Sequence, residues 1–172
     1  MEPVSRTTEI GFDAFADLTA RDVDRAYRIA WAILGNDEDA QDAIQDALTA
    51  AWKQRGSLRD RDRLEAWFGR IVVNKCRDGL RSRVRVRSRM RPLELTPLPP
   101  VADGSLAAAE RDELGRALER LGPDRRIVVV LRFWADLTVD DIAERLGVPA
   151  GTVKSRLHHS LKALRSALEE DR

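Results

Sequence analysis

Four of the seven prolines in this 172-residue chain lie within nine positions, at Pro92, Pro97, Pro99 and Pro100. Proline has no amide hydrogen and its ring clashes with the preceding helical turn, so neither a helix nor a central strand can run through this stretch. The sequence therefore predicts two units, at 12–91 and 110–172, joined by a flexible proline-rich linker at 92–109. Residues 1–11 form a short N-terminal tail.

The composition favours an all-α fold for both units. Hydrophobic residues make up 43% of the chain and aromatic residues 5%, without the β-branched alternation that strands require. No apolar run approaches the roughly 20 residues of a membrane span. The first residues also lack the apolar stretch of a signal peptide. We therefore expect a cytoplasmic protein with no membrane insertion of its own.

The reactive residues are too few for most kinds of catalytic or metal site. One cysteine and two histidines cannot supply an internal disulfide or a tetrahedral metal set, so we expect neither a metal nor a cofactor. The sequence has no glycine-rich phosphate loop, no nucleophile elbow and no pair of carboxylates in an apolar setting. Cys76, within an apolar-to-basic segment, is interpreted as a packing residue. We expect a protein that is not an enzyme.

A helix at 37–54 carries acidic residues on one side. Its apolar residues form a single stripe, and Asp39, Asp42 and Asp46 fall within about 60° of one another on the opposite side. This pattern is consistent with two alternatives: a face that is simply solvated, or a surface that binds a basic partner.

A second helix, at 63–81, carries basic residues on one side. Residues 57–91 contain 12 basic and 4 acidic residues. Five polar side chains project within about 60° of one another: Arg63, Arg70, Asn74, Arg77 and Arg81. Like charges at these spacings repel, and an anionic polymer would relieve the repulsion. The basic side of this helix therefore has three possible interpretations: it binds nucleic acid, it binds an acidic protein, or it is simply solvated.

The sequence at 138–168 predicts a helix-turn-helix. Thr138 and Asp141 have the spacing of a capping box, Gly147 suits a left-handed helix end, and Pro149 suits the start of a second helix. The outward residues of this second helix include no carboxylate: Thr152, Lys154, Ser155, Arg156, His158, His159 and Lys162. Two helices joined in this way are the geometry of a DNA reader, although the pattern also occurs in proteins that bind no DNA.

Both halves together resemble a known family. The runs at 39–52, 67–74 and 77–81 are similar to region two of bacterial sigma-70 factors, and the runs at 121–133 and 142–157 are similar to region four. Two such regions joined by a short linker are typical of the extracytoplasmic-function subfamily.

The resemblance implies a role for each group of residues. The surface for core RNA polymerase would consist of Asp39, Asp42, Gln45 and Asp46. The minus-ten element would be read and held open by Arg63, Trp67, Arg70, Asn74, Arg77 and Arg81. The loop at 55–62 would capture an unstacked base. The minus-thirty-five element would be bound by Arg132, Gly151, Thr152, Lys154, Ser155, Arg156 and His159. Within that set Arg156 is expected to read a base, because it lies opposite the buried Val153 and Leu157, whereas Lys162 is expected to contact a phosphate.

The implied function is that of a sigma factor, which binds core RNA polymerase and directs initiation at promoter DNA, under the control of an anti-sigma factor. The alternative is a stand-alone helix-turn-helix transcriptional regulator. The acidic face and the second basic helix distinguish the two, since a repressor needs one DNA-reading element and a dimer interface. The basic segment at 81–91 fits both a helix and a linker.

Overall fold

Helices account for nearly all of the regular structure. The computed structural model describes residues 12–58, 60, 63–87 and 108–170. Within these residues there is no strand, and the α-helices are α1 (Phe12–Leu34), α2 (Asp37–Gln54), α3 (Leu64–Arg87), α4 (Ala108–Arg120), α5 (Pro123–Phe133), α6 (Val139–Leu146) and α7 (Ala150–Glu170). A short 3-10 turn, Arg55–Ser57, follows α2. The predicted all-α class is confirmed.

The boundaries of α2 follow from its first residues. The Asn36 side chain caps the helix, because its Oδ1 accepts a hydrogen bond of 2.8 Å from the Asp39 amide. Three acidic residues in the first turn add a favourable interaction with the helix dipole. The helix predicted at 37–54 is therefore present with those bounds.

The third helix is longer than the predicted segment at 63–81. It continues to Arg87, so at least the first part of the basic segment at 81–91 is helical rather than linker. A tertiary contact holds this extension: Nη1 of Arg83 donates to the Leu34 carbonyl at 2.6 Å, and the same guanidinium pairs with Asp39. The rest of the basic segment lies outside the described residues.

The helix-turn-helix has the predicted local chemistry. Thr138 and Asp141 form both hydrogen bonds of the capping box at the start of α6. Gly147 ends α6 with φ of 65°, in the left-handed region. Pro149 immediately precedes α7, and its carbonyl accepts from the Thr152 amide at 2.9 Å. The turn between α6 and α7 is thus set by residues within a few positions of it.

One continuous apolar core joins the two halves of the chain. Phe68 and Val72 of α3 are buried in the same cluster as Ile127 and Leu131 of α5 and Ile142 of α6. A smaller cluster packs α4 against α5 and α7. Helices α1 and α3 contact α5, and α3 also contacts α6, so the C-terminal helices lie directly on the N-terminal ones.

The predicted linker lies almost entirely outside the described residues. Helix α4 begins at Ala108, next to the predicted boundary of the C-terminal unit. The division into 12–91, 92–109 and 110–172 stays a prediction.

Replacing Gly147 by alanine should lower the free energy of unfolding by about 1–2 kcal/mol, since a side chain at positive φ is strained. Gly56→Ala is the matched control: a Cβ there would meet no atom within 4 Å, and no positive φ is imposed. The control should be neutral or stabilise by less than about 1 kcal/mol. Urea unfolding followed by circular dichroism measures both. Equal stability of the two variants would contradict the role of Gly147 as the left-handed helix end.

Candidate nucleic-acid interface

The acidic face of α2 is only partly open to a partner. Asp42 and Gln45 are exposed. Asp46 is 71% exposed and lies 3.9 Å from the Nζ of Lys75, which is a weak surface pair. Asp39 is different, because it pairs with Arg83 and accepts a 3.0 Å hydrogen bond from Nδ2 of Asn36. The structure therefore assigns Asp39 a role inside the fold and leaves the other three facing solvent.

The basic stripe of α3 faces the C-terminal half. Arg63 forms an ion pair with Glu144 of α6. Further along the helix, Nε of Arg77 lies 3.3 Å and Nη2 of Arg81 lies 3.7 Å from the carboxylate of Asp124 in α5. The repulsion expected from the sequence is thus relieved by two acids from the other half of the chain.

The remaining residues of the stripe lie along the same side. Arg70 and Asn74 are exposed, and Trp67 is half-buried against the main core. A Cβ placed on Gly147 would lie 3.4 Å from Nη2 of Arg70, so this arginine reaches the turn between α6 and α7.

A cleft of about 720 Å³ opens at the N-terminal end of the stripe. Its walls come from the segment after α2, the start of α3 and the α5–α6 turn with α6, including Leu58, Trp67, Arg70, Leu137 and Arg145. Part of the loop to which the resemblance gives base capture therefore borders this cleft. The participation of α6 was not predicted, because it depends on how the two halves pack.

Arg145, which lines this cleft, is a buried charged residue. The residue is 8% exposed, and desolvation lowers the pKa of its guanidinium, while Glu65 and two nearby acids of α6 oppose that effect. A buried guanidinium stays charged, so nearby carboxylates are needed to offset its loss of water. Arg145 of α6 therefore interacts electrostatically with Glu65 at the start of α3.

The outward face of α7 contains most of the predicted DNA residues. Lys154, Ser155 and His159 are exposed and Gly151 has open space around it, whereas Thr152 is half-buried. Nδ1 of His159 lies 2.7 Å from the Ser155 carbonyl, which orients its ring along the helix. The exposed surface contains hydroxyl, ammonium and imidazole groups and no acid in its first three turns.

Two arginines predicted to bind the minus-thirty-five element also make contacts with other parts of the protein. Arg156 is 25% exposed rather than fully outward, because its Nη2 donates to Asp124 at 3.3 Å. Nη1 of Arg132 donates to the Leu137 carbonyl at 3.0 Å, across the turn in which Asp136 has φ of 51°. Arg132 thus stabilises the connection between α5 and α6.

Asp124 is the residue that the sequence did not single out. An acid in the first turn of a helix is ordinarily explained by the helix dipole. In the fold its carboxylate lies within 4 Å of three arginines, Arg77, Arg81 and Arg156. No local pattern could have indicated this, since the partners come from two other helices.

The described residues contain neither a candidate metal site nor a membrane span. No three His, Cys, Asp or Glu side chains in the described part of the chain are grouped as metal ligands. None of the described helices is both long enough and apolar enough to cross a membrane.

Comparison with known proteins agrees with this arrangement of two helical halves. Residues 18–86 match the family Sigma-70 region 2, and residues 111–164 match Sigma-70, region 4. The chain is 34% identical over 145 residues to the RNA polymerase sigma-E factor of Streptomyces coelicolor, covering 84% of this chain and 80% of that protein. It is 38% identical over 144 residues to the ECF RNA polymerase sigma factor SigM of Mycobacterium tuberculosis, covering 83% and 71%.

A solved structure shows the same fold. The sigma factor RpoE of Bartonella quintana, crystallised with the anti-sigma factor NepR, is similar with a TM-score of 0.71 and 26% identity. The match covers 92% of this chain and 98% of RpoE.

The chain belongs to the extracytoplasmic-function subfamily of the sigma-70 factors, the proteins that bind core RNA polymerase and direct promoter-specific initiation. The two matched regions correspond to the two halves described above.

Cys76 should be almost unreactive toward Ellman's reagent in the folded protein. Burial raises the pKa of its thiol to about 12, so ionisation alone should slow the reaction at pH 8 by roughly three orders of magnitude relative to the unfolded chain. Ser82→Cys, which adds an exposed thiol on the same helix, is the control and should react at once with one equivalent. Rapid labelling of native Cys76 would show that the thiol is accessible.

Proposed function

We propose that the open part of the α2 acidic face binds core RNA polymerase. Asp42, Gln45 and Asp46 support this proposal because all three are exposed, and because the contact of Asp46 with Nζ of Lys75, at 3.9 Å, is weak. Asp39 contributes indirectly, by holding the start of α2 to α3 through Arg83. An acidic face of this kind fits a basic or hydrogen-bonding surface of the polymerase.

We further propose that α3 reads and holds open the minus-ten element. Its arginines and Asn74 offer donors along one side of a rigid helix, and Trp67 borders a cleft large enough for an unstacked base. The segment at 55–62 would line the entrance to this base site. Region two would thus bind single-stranded as well as duplex DNA.

The first half of α7 is proposed to enter the major groove at the minus-thirty-five element. The exposed Lys154, Ser155 and His159 support this placement, with Thr152 and Gly151 at the helix start. Arg156 would reach the bases after it leaves Asp124, and Arg132 would contact DNA through the part of its guanidinium that is not bonded to Leu137.

The chain would contribute no catalytic group, because the polymerase supplies the chemistry of RNA synthesis, and it would act in the cytoplasm. An anti-sigma factor is proposed as a further partner. The Bartonella quintana relative, solved with NepR, supports this kind of regulation.

Run-off transcription with purified core polymerase on genomic fragments tests the proposal as a whole. The chain should produce discrete transcripts that are absent with core enzyme alone. Transcripts that start at random, or none from any fragment, would overturn the assignment of promoter recognition to this chain.

The double variant Asp42→Arg with Asp46→Arg should lose binding to core polymerase and keep its helical content. Reversing two charges at an interface costs several kcal/mol, whereas reversing them on a solvated face costs about 0.5 kcal/mol or less. Glu169→Arg with Glu170→Arg is the matched control, because it makes the same change in charge on exposed residues at the far end of α7. Co-elution with core enzyme measures both. Unchanged co-elution of the first variant would remove these residues from the polymerase interface.

Arg77→Ala with Arg81→Ala should reduce open-complex formation far more than it reduces core binding. The two arginines supply phosphate and base contacts that are made only when the minus-ten region is bound. Arg28→Ala with Arg116→Ala removes two exposed arginines elsewhere and should have little effect. Permanganate footprinting of the melted promoter measures the difference. An identical footprint for the α3 variant and the parent would contradict the proposed role.

A further inference from the structure

Both histidines of the chain lie on the face of α7 that is proposed to enter the major groove. His158 and His159 are exposed, and their rings meet edge to face with centroids 5.5 Å apart. Imidazole is the side-chain group that ordinarily changes its charge between about pH 5 and 8. The protonation state of these rings therefore decides what this part of the helix can offer to DNA.

A backbone contact fixes the tautomer of His159. Its Nδ1 lies 2.7 Å from the carbonyl oxygen of Ser155, one helical turn earlier, and 3.4 Å from the Ser155 hydroxyl. A carbonyl oxygen only accepts hydrogen bonds, so Nδ1 must carry the proton of this bond. Nε2 is left as the nitrogen that is available to DNA. It accepts a hydrogen bond when the ring is neutral and donates one when the ring is an imidazolium.

The exposed face of α7 around His159 is basic. Lys154 and Lys162 are exposed on this side of the helix, and its first three turns contain no acid. Protonation of His159 adds a further cation to the face. Promoter phosphates lower the cost of that charge, because a nearby opposite charge favours the ionised form of a titratable group.

The helices packed against α7 bring charges of both signs. Helices α4, α5 and α6 all contact α7, and each has a charged residue in an ion pair: Arg120 with Glu170, Asp124 with Arg156, and Glu144 with Arg63. Arg125, next to Asp124, is exposed and adds positive charge on the α5 side. None of these pairs includes His159. Within the described part of the chain its Nε2 has no hydrogen-bond partner, so it is open to DNA.

We propose that His159 binds the minus-thirty-five DNA as an imidazolium, with Nε2 donating to a hydrogen-bond acceptor of the promoter. Binding then takes up a proton, and promoter affinity falls as the pH rises. The inference rests on the proposed entry of α7 into the major groove, and it adds the charge state in which this residue acts.

The direction of the pH dependence follows from where the proton is bound. At a pH where the ring is protonated in both the free and the bound protein, pH has no effect on affinity through this residue. Once the free ring becomes neutral, binding must recruit a proton, and the affinity falls by at most about tenfold per pH unit. The fall levels off when the neutral ring binds without the proton. The total is about tenfold, the difference between a charge-assisted and a neutral hydrogen bond.

Fluorescence anisotropy of the holoenzyme on a promoter fragment that supports run-off transcription tests the proposal at constant ionic strength. Between about pH 6 and pH 8 the parent should lose about tenfold more affinity than His159→Arg, which keeps a cation throughout. His159→Gln should bind at every pH as the parent does at high pH. His158→Gln, the matched change on the neighbouring ring, should keep the pH dependence of the parent.

Promoter fragments that differ at single positions of the minus-thirty-five element identify the acceptor. A pH dependence that disappears when one base pair is changed assigns Nε2 to a base atom such as N7 of guanine. A pH dependence that persists on every fragment assigns it to a phosphate oxygen.

Equal pH dependence in the parent and His159→Arg overturns the proposal, and so does its loss in His158→Gln. Lys154→Ala separates this failure from failure of the proposed groove contact. If Lys154→Ala weakens binding while the parent and His159→Arg respond alike to pH, α7 binds DNA and only the imidazolium is wrong. If Lys154→Ala and both His159 variants bind like the parent at every pH, the proposed placement of α7 is wrong as well.

Discussion

The arginines along one side of α3 repel one another, and the arrangement of the other helices depends on what neutralises them. Helix α3 cannot rotate about its axis to move these arginines elsewhere, because Phe68 and Val72 on its opposite side are buried in the core. Each like-charged pair one turn apart costs about 0.2–0.5 kcal/mol on an isolated helix. In the described fold Asp124 and Glu144 supply the compensating charge. During initiation, promoter phosphates would supply it instead.

Features that depend on a few neighbouring residues were predictable from the sequence. The bounds of α2, the capping box of Thr138 and Asp141 and the left-handed Gly147 all follow from residues within one helical turn. Amphipathic periodicity also placed most of the apolar stripe of α2 in the core, since an apolar face is buried whichever helix packs against it. The fold class and the helix-turn-helix could therefore be read without knowing how the halves pack.

Features that depend on the packing of distant segments were not predictable. Helix α3 extends past the predicted end because Arg83 bonds to Leu34, the last residue of α1, and to Asp39, in the first turn of α2. Arg156 was expected to point outward, and it turns toward Asp124 because α5 crosses α7 at that level. Asp124 itself lies more than forty positions from Arg77 along the chain. The sequence shows which residues carry opposite charges, but it does not show which of them lie close together in the fold.

The same packing limits how tightly the two halves can hold each other. Contact between α3 and α6 buries apolar groups such as Ile142, but it also buries Arg145, whose lowered pKa reflects the loss of water around its charge. Desolvation of a buried charge offsets much of the attraction from its carboxylate partners. The exposed pair of Arg63 and Glu144 adds at most about 1 kcal/mol.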